Sequence, residues 1–444
     1  MTSARRPPRA RPTGPAYFHS TSTLANGLDV VMVQMPHLHA AQVALLARAG
    51  SRYEAPEDNG LSHVLEHMFF RGAESFGDSH ALNAAMEDLG GHLDGYTTRD
   101  CSGYPVTVHP NHVEAATEIL GRMFVAPRFD DLKTERKIIL EEMLDALDDR
   151  GREIEVDTLA HRAQFGAHGL GQPIEGPRKN VRRFTVDDLE RHRRRCYGAK
   201  NLVLCFAGAI EPARCLRAAE KAFGELFSGR KVGNGGRPGP VEPSVKHRKT
   251  EDPQTRIRLT FRAVSDGHAD HAALSLMRRA LDGGLSARLP LEMVERRGIA
   301  YEVGADLTTY ADTGCFDFEL AVAHRKLPAA LETLGDVIHE LHQDGLGDEE
   351  LKRLQHRVGL GVEMGLDSVS DMVGWFGVDH LFGRASSPEE RLAKLYEVRA
   401  KDIGRVARKY LRADRLTVVT VGGASAKERS AGGAALEALS ARLS

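Results

Sequence analysis

The chain has 444 residues, enough for two or three domains, and its hydrophobic fraction of 41% is sufficient for real cores. Its formal net charge of −2 gives no global field that would point to nucleic acid or an anionic membrane surface. No run approaches the ~18 uninterrupted apolar residues a bilayer-spanning helix requires, which excludes the membrane-spanning class.

Residues 1–20 contain Arg5, Arg6, Arg9 and Arg11 and no acid. Pro7, Pro8, Pro12 and Pro15 break any amphipathic presequence helix, so this stretch reads as a disordered tail. Apolar strands follow over Asp29–Ala49. Next comes His63-Val64-Leu65-Glu66-His67, an H-x-x-E-H pattern, the mirror order of H-E-x-x-H. The flanks favour a helix: Asn59 and Gly60 precede it, Ser62 is a candidate cap, no proline lies between Leu61 and Arg71, and Gly72 is a candidate terminator. On a helix, positions i and i+4 share a face, so His63 and His67 can present two imidazoles to one metal ion, with Glu66 in reach of a water beside it.

A catalytic zinc site takes a third protein ligand from another element. About 75 residues downstream, Asp131–Met143 reads as a helix in which Glu135 and Glu142 lie seven residues apart, two turns along one face. Glu142 can ligate while Glu135 orients a histidine. Glu141 is a rival ligand. Further on, Arg191-His192-Arg193-Arg194-Arg195 lacks interleaved aromatics and any nucleic-acid motif, and reads as a solvated helix end. His80, His92, His109, His112, His161 and His168 show no mutual ligand spacing and read as surface or hydrogen-bonded residues. Cys101, Cys196, Cys205, Cys215 and Cys315 are odd in number and scattered, as expected for reduced thiols in a cytoplasmic protein.

The stretch from Ser228 to Pro253 is rich in Gly, Pro and charge. It divides the chain into an expected domain at 21–228, a linker at 229–253 and a second domain at 254–444. Both halves run strand, helix, Gly-rich turn, strands, helices. The second half shows strands at Arg256–Ala263 and Cys315–Val322 and a helix over Lys326–Gln343, so the expected fold is α+β, built from two diverged copies of one unit. The second copy has no metal set: at the corresponding place it reads His271-Ala272-Ala273-Leu274-Ser275-Leu276.

Several segments together carry a family resemblance. They are Asn26–Val31, Ala49–Glu54, Asn59–His63, His67–Gly72, Leu89-Gly90-Gly91, Pro127-Arg128-Phe129, Asn201–Gly208 and Phe223-Gly224. The chain resembles, over nearly its whole length, the pitrilysin/insulinase family of inverzincin metallopeptidases, which includes the mitochondrial processing peptidase and its bacterial relatives. The resemblance implies two similar αβ domains facing each other like a clam. It implies one Zn²⁺ per chain on His63, His67 and Glu142, with Glu66 as base and Glu135 supporting a ligand. The implied reaction is hydrolysis of extended peptides, which would add a strand beside Leu93–Tyr96.

Two departures stand out. Relatives carry an Arg and a Tyr seven residues apart that bind the substrate carbonyl. Here Tyr301 is kept, but the position seven before it is Val294. Either Arg296 or Arg297 substitutes, or a homologous partner subunit, in a heterodimer or homodimer, supplies the pair. The substrate strand reads Gly90-Gly91-His92-Leu93-Asp94-Gly95 where relatives read Gly-Gly-x-x-Asn-Ala, so Asp94 places a negative charge near the cleft. The competing expectation is a non-catalytic core or assembly subunit.

Overall fold

The structure is a computed structural model and describes residues 16–384 and 386–443. Two sheets organise it. The first contains β1 (Phe18–Thr23), β2 (Asp29–Gln34), β3 (Ala41–Ala47), β4 (Tyr96–Thr97), β5 (Ser102–Val108) and β6 (Leu202–Gly208), in the order β1-β2-β6-β3-β5-β4. The second contains β7 (Ser244–Lys249), β8 (Gln254–Ala263), β9 (Glu302–Thr309), β10 (Gly314–Ala323) and β11 (Leu416–Gly422), in the order β7-β11-β8-β10-β9. Without β1 the two orders coincide strand for strand. The pairing senses coincide too: β2 with β6 and β7 with β11 are parallel, and the other neighbours are antiparallel. The molecule is thus two similar αβ domains, and helix His271–Leu281 occupies the place in the second that the H-x-x-E-H helix occupies in the first.

Each sheet buries one face under helices of its own half. Val30, Val43, Leu45 and Phe206 join Leu65, Phe69 and Phe124 in one core, and Ile257, Leu259 and Phe318 join Leu274, Leu334 and Val406 in the other. The opposite faces are covered reciprocally. Helix Val156–Phe165, from the first half, packs Val156 and Ala160 on Val419 and Val421 of β11. In return, the second-half segment Val369–Leu381 packs Met372, Val373 and Phe376 on Val31, Ala44, Leu46 and Val203 of the first sheet. Alternation explains the need: a strand with apolar residues on both sides must have both sides covered.

A polar seam joins the halves along the first crossing helix. Asp157 receives Arg99 at 2.7 Å, Arg258 of β8 at 3.1 Å and His161 at 3.1 Å, while Arg258 also reaches Asp317 at 3.3 Å. Burial pushes the Asp157 pKa up, but His161, Arg99 and Arg258 together outweigh it and hold the carboxyl far below its usual range.

Several boundaries differ from expectation. Residues 1–15 of the expected tail lie outside the described residues, and the first domain begins with a strand at Phe18 rather than at 21, because Phe18–Thr23 pairs antiparallel with β2. The expected linker contains β7, whose polar sequence makes no core yet runs parallel beside β11 through its backbone. The expected substrate strand Leu93–Tyr96 pairs only from Tyr96, opposite Gly103, and Asp94 instead turns its carboxylate to the Gly95 amide. His192 is buried at 2% exposure, so the basic run is not solvated throughout. The five cysteines are buried and unpaired by disulfides, and among the described residues no helix is long and apolar enough to cross a membrane.

The seam fixes a pH dependence. A carboxyl with a depressed folded pKa stabilises the fold above its unfolded pKa, and that contribution is lost as pH falls through the folded value. Asp157→Asn should therefore lower stability by about 2 kcal/mol at pH 7, less than for a fully buried pair because Asp157 is partly exposed. The deficit should shrink below roughly pH 4, where the unfolded Asp becomes protonated. Urea denaturation at both pH values, followed by the fluorescence of Trp375, the chain's single tryptophan, measures it.

Candidate metal centre

The H-x-x-E-H segment forms helix Leu61–Phe69, called here the motif helix. Leu61, Val64, Leu65 and Met68 are buried in the first core, which turns His63, Glu66 and His67 to the other side. Its N-terminus is not capped by Ser62. The N-cap is Gly60 at φ +106°, where a Cβ would lie 2.6 Å from the Glu175 carbonyl oxygen, so a side chain is excluded both by conformation and by space. The exposed amides are met by the buried carboxylate of Glu54, which accepts from Gly60 N at 2.8 Å, Ser62 N at 2.6 Å and the Asn59 side chain at 2.9 Å. A carboxylate at this end also complements the helix dipole. The Ser62 hydroxyl instead meets His192 Nε2 at 2.9 Å. Burial, reinforced by Arg195 and Arg191, lowers the His192 pKa to about 3, so it remains a neutral imidazole.

The third element is helix Leu132–Glu142. Ile139 and Leu132 anchor it to the core, and the seven-residue spacing brings both Glu135 and Glu142 to the His67 imidazole. Glu142 lies 3.6 Å from His63 Nε2 and 3.4 Å from His67 Nε2 through its two oxygens. The nearest ligand-type atoms of His63, His67 and Glu142 all fall within 4.8 Å of one another, and it is Glu142, not Glu141, that joins the group. Glu135, buried at 5% exposure, accepts from His67 Nδ1 at 2.8 Å and is itself held by Arg71 at 3.3 Å. That bond fixes the tautomer in which His67 Nε2 carries a free lone pair.

The electrostatics of this set call for a cation. For His63, burial is the largest influence and lowers the pKa, but Glu142, Glu66 and Glu175 together raise it above its ordinary value. The Glu142 carboxyl is lowered, first by its contact with His63. Both shifts express the attraction of the Glu142 carboxylate for a positive charge at His63. Two imidazole nitrogens and a carboxylate make a donor set suited to zinc with one position left open.

Glu66 is 9% exposed and stands beside this set. Its Oε2 accepts a hydrogen bond from the Thr97 hydroxyl of β4, and Thr97 Oγ1 is 3.3 Å from Ser102 Oγ. Gly95 permits the approach: a Cβ there would come within 2.8 Å of the Phe70 ring and 3.3 Å of Glu66 Cγ. Strand β4 is the outermost strand of its sheet, next to the catalytic candidate. Asp94 is exposed just before it, bonded to its own neighbour's amide at 2.8 Å.

Tyr301 lies elsewhere. It is 86% exposed and lines a cavity whose described walls all come from the second half, Val294 among them. Neither candidate arginine lines that cavity: Arg296 pairs with Glu292, and Arg297 donates to Thr333 at 3.0 Å. Thr97, Glu54 and His192 are contributors that sequence reading missed. Glu54 gave no distinct signal, since Glu57 and Asp58 stand nearer the helix start in the sequence.

Residues 29–178 match the family model "Insulinase (Peptidase family M16)", and residues 183–358 match "Peptidase M16 inactive domain". The chain is 27% identical over 398 residues to a Bacillus subtilis protein named uncharacterized zinc protease YmxG, covering 88% of this chain and 95% of the relative. It is 27% identical over 424 residues to a probable mitochondrial-processing peptidase subunit beta of Schizosaccharomyces pombe, covering 90% and 91%. Among solved structures, a protease from Helicobacter pylori superposes with TM-score 0.85 at 19% identity, over 92% of this chain and 100% of the other. A structure from Pseudomonas fluorescens described as a peptidase M16 inactive domain gives TM-score 0.85 at 21% identity, over 92% and 98%. The two family matches are consecutive, the first holding the motif and the second running from the end of the first half into the second, and the chain belongs to peptidase family M16, the insulinase or pitrilysin family of zinc metallopeptidases.

Proposed function

We propose that the chain is a zinc-dependent peptidase that hydrolyses extended peptides, with His63, His67 and Glu142 holding one Zn²⁺ per chain. The observation that carries this reading is the convergence of those three donors within 4.8 Å, beside a carboxylate that is not one of them. Zinc bound there supplies a Lewis acid and lowers the pKa of water from 15.7 toward about 7.

The chain's own groups do the rest. Glu66 accepts a proton from the attacking water as its oxygen bonds to the peptide carbonyl carbon, then delivers a proton to the leaving amine as the C–N bond breaks. The Thr97 hydroxyl occupies Glu66 Oε2, which leaves Oε1 for the water. Glu135 orients His67. The free edge of β4 offers backbone pairing to a peptide of almost any sequence, which places a scissile bond near Glu66. Asp94 adds a negative charge at the entry to that edge. Tyr301 serves substrate binding from the second half. A homologous subunit, in a homodimer or a heterodimer, completes a cavity that admits flexible chains. The setting is cytoplasmic, in keeping with five thiols left unpaired.

A second reading, a non-catalytic core subunit, draws on Val294 standing where an arginine is expected and on the match of residues 183–358 to an inactive domain. That match does not include the motif, whereas the motif and every donor lie in the stretch matched to the insulinase model, which favours catalysis.

The purified protein should contain about one zinc per chain, and His63→Ala should remove it. Metal analysis by mass spectrometry checks this, and full retention in the variant would place the site elsewhere. Glu66→Gln should keep the zinc and lower cleavage of quenched fluorescent peptides by roughly 10²–10⁴-fold. Equal rates for Glu66→Gln and the parent chain would instead favour the non-catalytic reading. Glu135→Gln should act through the metal, weakening zinc affinity by about 10–100-fold in a chelator competition.

A further inference from the structure

The second half repeats the scaffold of the metal centre and fills the equivalent place with other chemistry. The buried apolar positions 61, 64, 65, 68 and 69 of the motif helix recur with the same spacing at 273, 276, 277, 280 and 281 of helix His271–Leu281. That register puts Ser275 and Arg279 where the first half has His63 and His67. Helix Asp348–Gly365 holds the place in chain order that helix Leu132–Glu142 holds in the first half, and it brings Val358 and Val362. Ser275, Arg279, Val358 and Val362 all line one cavity of about 920 Å³, within the size range of small-molecule sites.

The cavity combines apolar and cationic walls. Leu276 and Leu395 line it beside the two valines, and so does Trp375, which belongs to the segment that covers the first sheet. Five Lys or Arg line it against three Asp or Glu. Two of those acids are engaged: Asp266 pairs with His271 at 3.1 Å and with Arg384 at 3.6 Å, and Asp402 with Arg405 at 3.4 Å. The third, Glu397, is exposed. Arg391 is held by Asp379 and by the Ser386 hydroxyl. Arg279 and Lys394 differ from the other cations, for among the described residues neither has a hydrogen bond or ion pair. Burial and the neighbouring Arg278 lower the Arg279 pKa, with no acid raising it. Burial also lowers the His271 pKa, and Arg391, Arg384 and Lys394 add to that effect against Asp266. The cavity is thus short of negative charge.

We propose that this cavity binds a small organic phosphate, with its dianion held by Arg279 and Lys394 and its apolar body, a ring, set against Trp375 and Leu276. A guanidinium fork and an ammonium, both without partners in the protein, match a doubly charged group with several acceptor oxygens better than a single carboxylate. The apolar walls add burial that inorganic phosphate cannot use. The site holds whether or not the metal centre cleaves peptides, since none of its residues belongs to that centre.

Isothermal titration calorimetry on the intact chain tests this with phenyl phosphate, phenylacetate, inorganic phosphate and benzyl alcohol. Phenyl phosphate should bind saturably and change the emission of Trp375, the chain's single tryptophan, over the same concentration range. It should bind about tenfold or more tightly than inorganic phosphate or benzyl alcohol, each of which lacks one half of the ligand. Phenylacetate, with one negative charge, should bind about tenfold more weakly than phenyl phosphate. Arg279→Gln and Lys394→Gln should each weaken phenyl phosphate by about tenfold, the loss of one charge-assisted hydrogen bond. Lys352→Gln, at a residue paired with Glu349 outside the cavity, should change nothing, and circular dichroism confirms that each variant is folded. No saturable signal at millimolar phenyl phosphate, or an unchanged affinity in Arg279→Gln, overturns the site. So does an equal loss in Lys352→Gln, which would mark a general charge effect. Equal affinity for phenylacetate and phenyl phosphate overturns the assignment to a phosphate.

Discussion

A single buried carboxylate at the start of a nine-residue helix sets the geometry on which the candidate site depends. The motif helix is too short to be stable by propensity alone, and it begins with glycine in a left-handed conformation rather than with a capping side chain. Glu54 supplies what is missing by accepting two of its free amides, and His192 holds the Ser62 hydroxyl beside it. With the N-terminus fixed and the apolar stripe buried, the directions of His63, Glu66 and His67 follow from helical geometry. Glu135 then removes the last freedom of one imidazole by holding its other nitrogen.

The duplication explains why such precision is needed in one half only. Both sheets share one strand order, and both halves place a helix at the equivalent position. In the second half that helix carries Ala272, Ala273 and Leu274 and no metal set. One architecture thus carries a candidate donor set in one half and none at the equivalent helix of the other, consistent with function residing in sites placed on a fold rather than in the fold.

The donors were legible in the sequence because their relation is local. His63 and His67 are one turn apart, Glu135 and Glu142 two turns apart, and helical periodicity converts those spacings directly into shared faces. What was not legible depends on approaches between distant segments. Thr97 reaches Glu66 across 31 positions, and His192 reaches Ser62 across 130. Strand β7 was hidden inside a linker-like stretch because an edge strand needs only its backbone, and Ser244-Val245-Lys246-His247-Arg248-Lys249 offers no hydrophobic alternation strong enough to announce it.

The reciprocal covering of the two sheets bears on how the chain can move. Val156 and Ala160 close the outer face of one sheet, and Met372, Val373 and Phe376 close the outer face of the other, so each half completes its neighbour's core. The halves are laced rather than hinged. The Gly- and Pro-rich stretch between them is then a strap whose suppleness cannot be used: swinging the halves apart would strip apolar surface from both sheets at once. Cutting the strap would not release two independent domains either, since each fragment would leave a sheet bare. Whatever reaches the candidate metal centre must therefore do so without the two halves swinging apart.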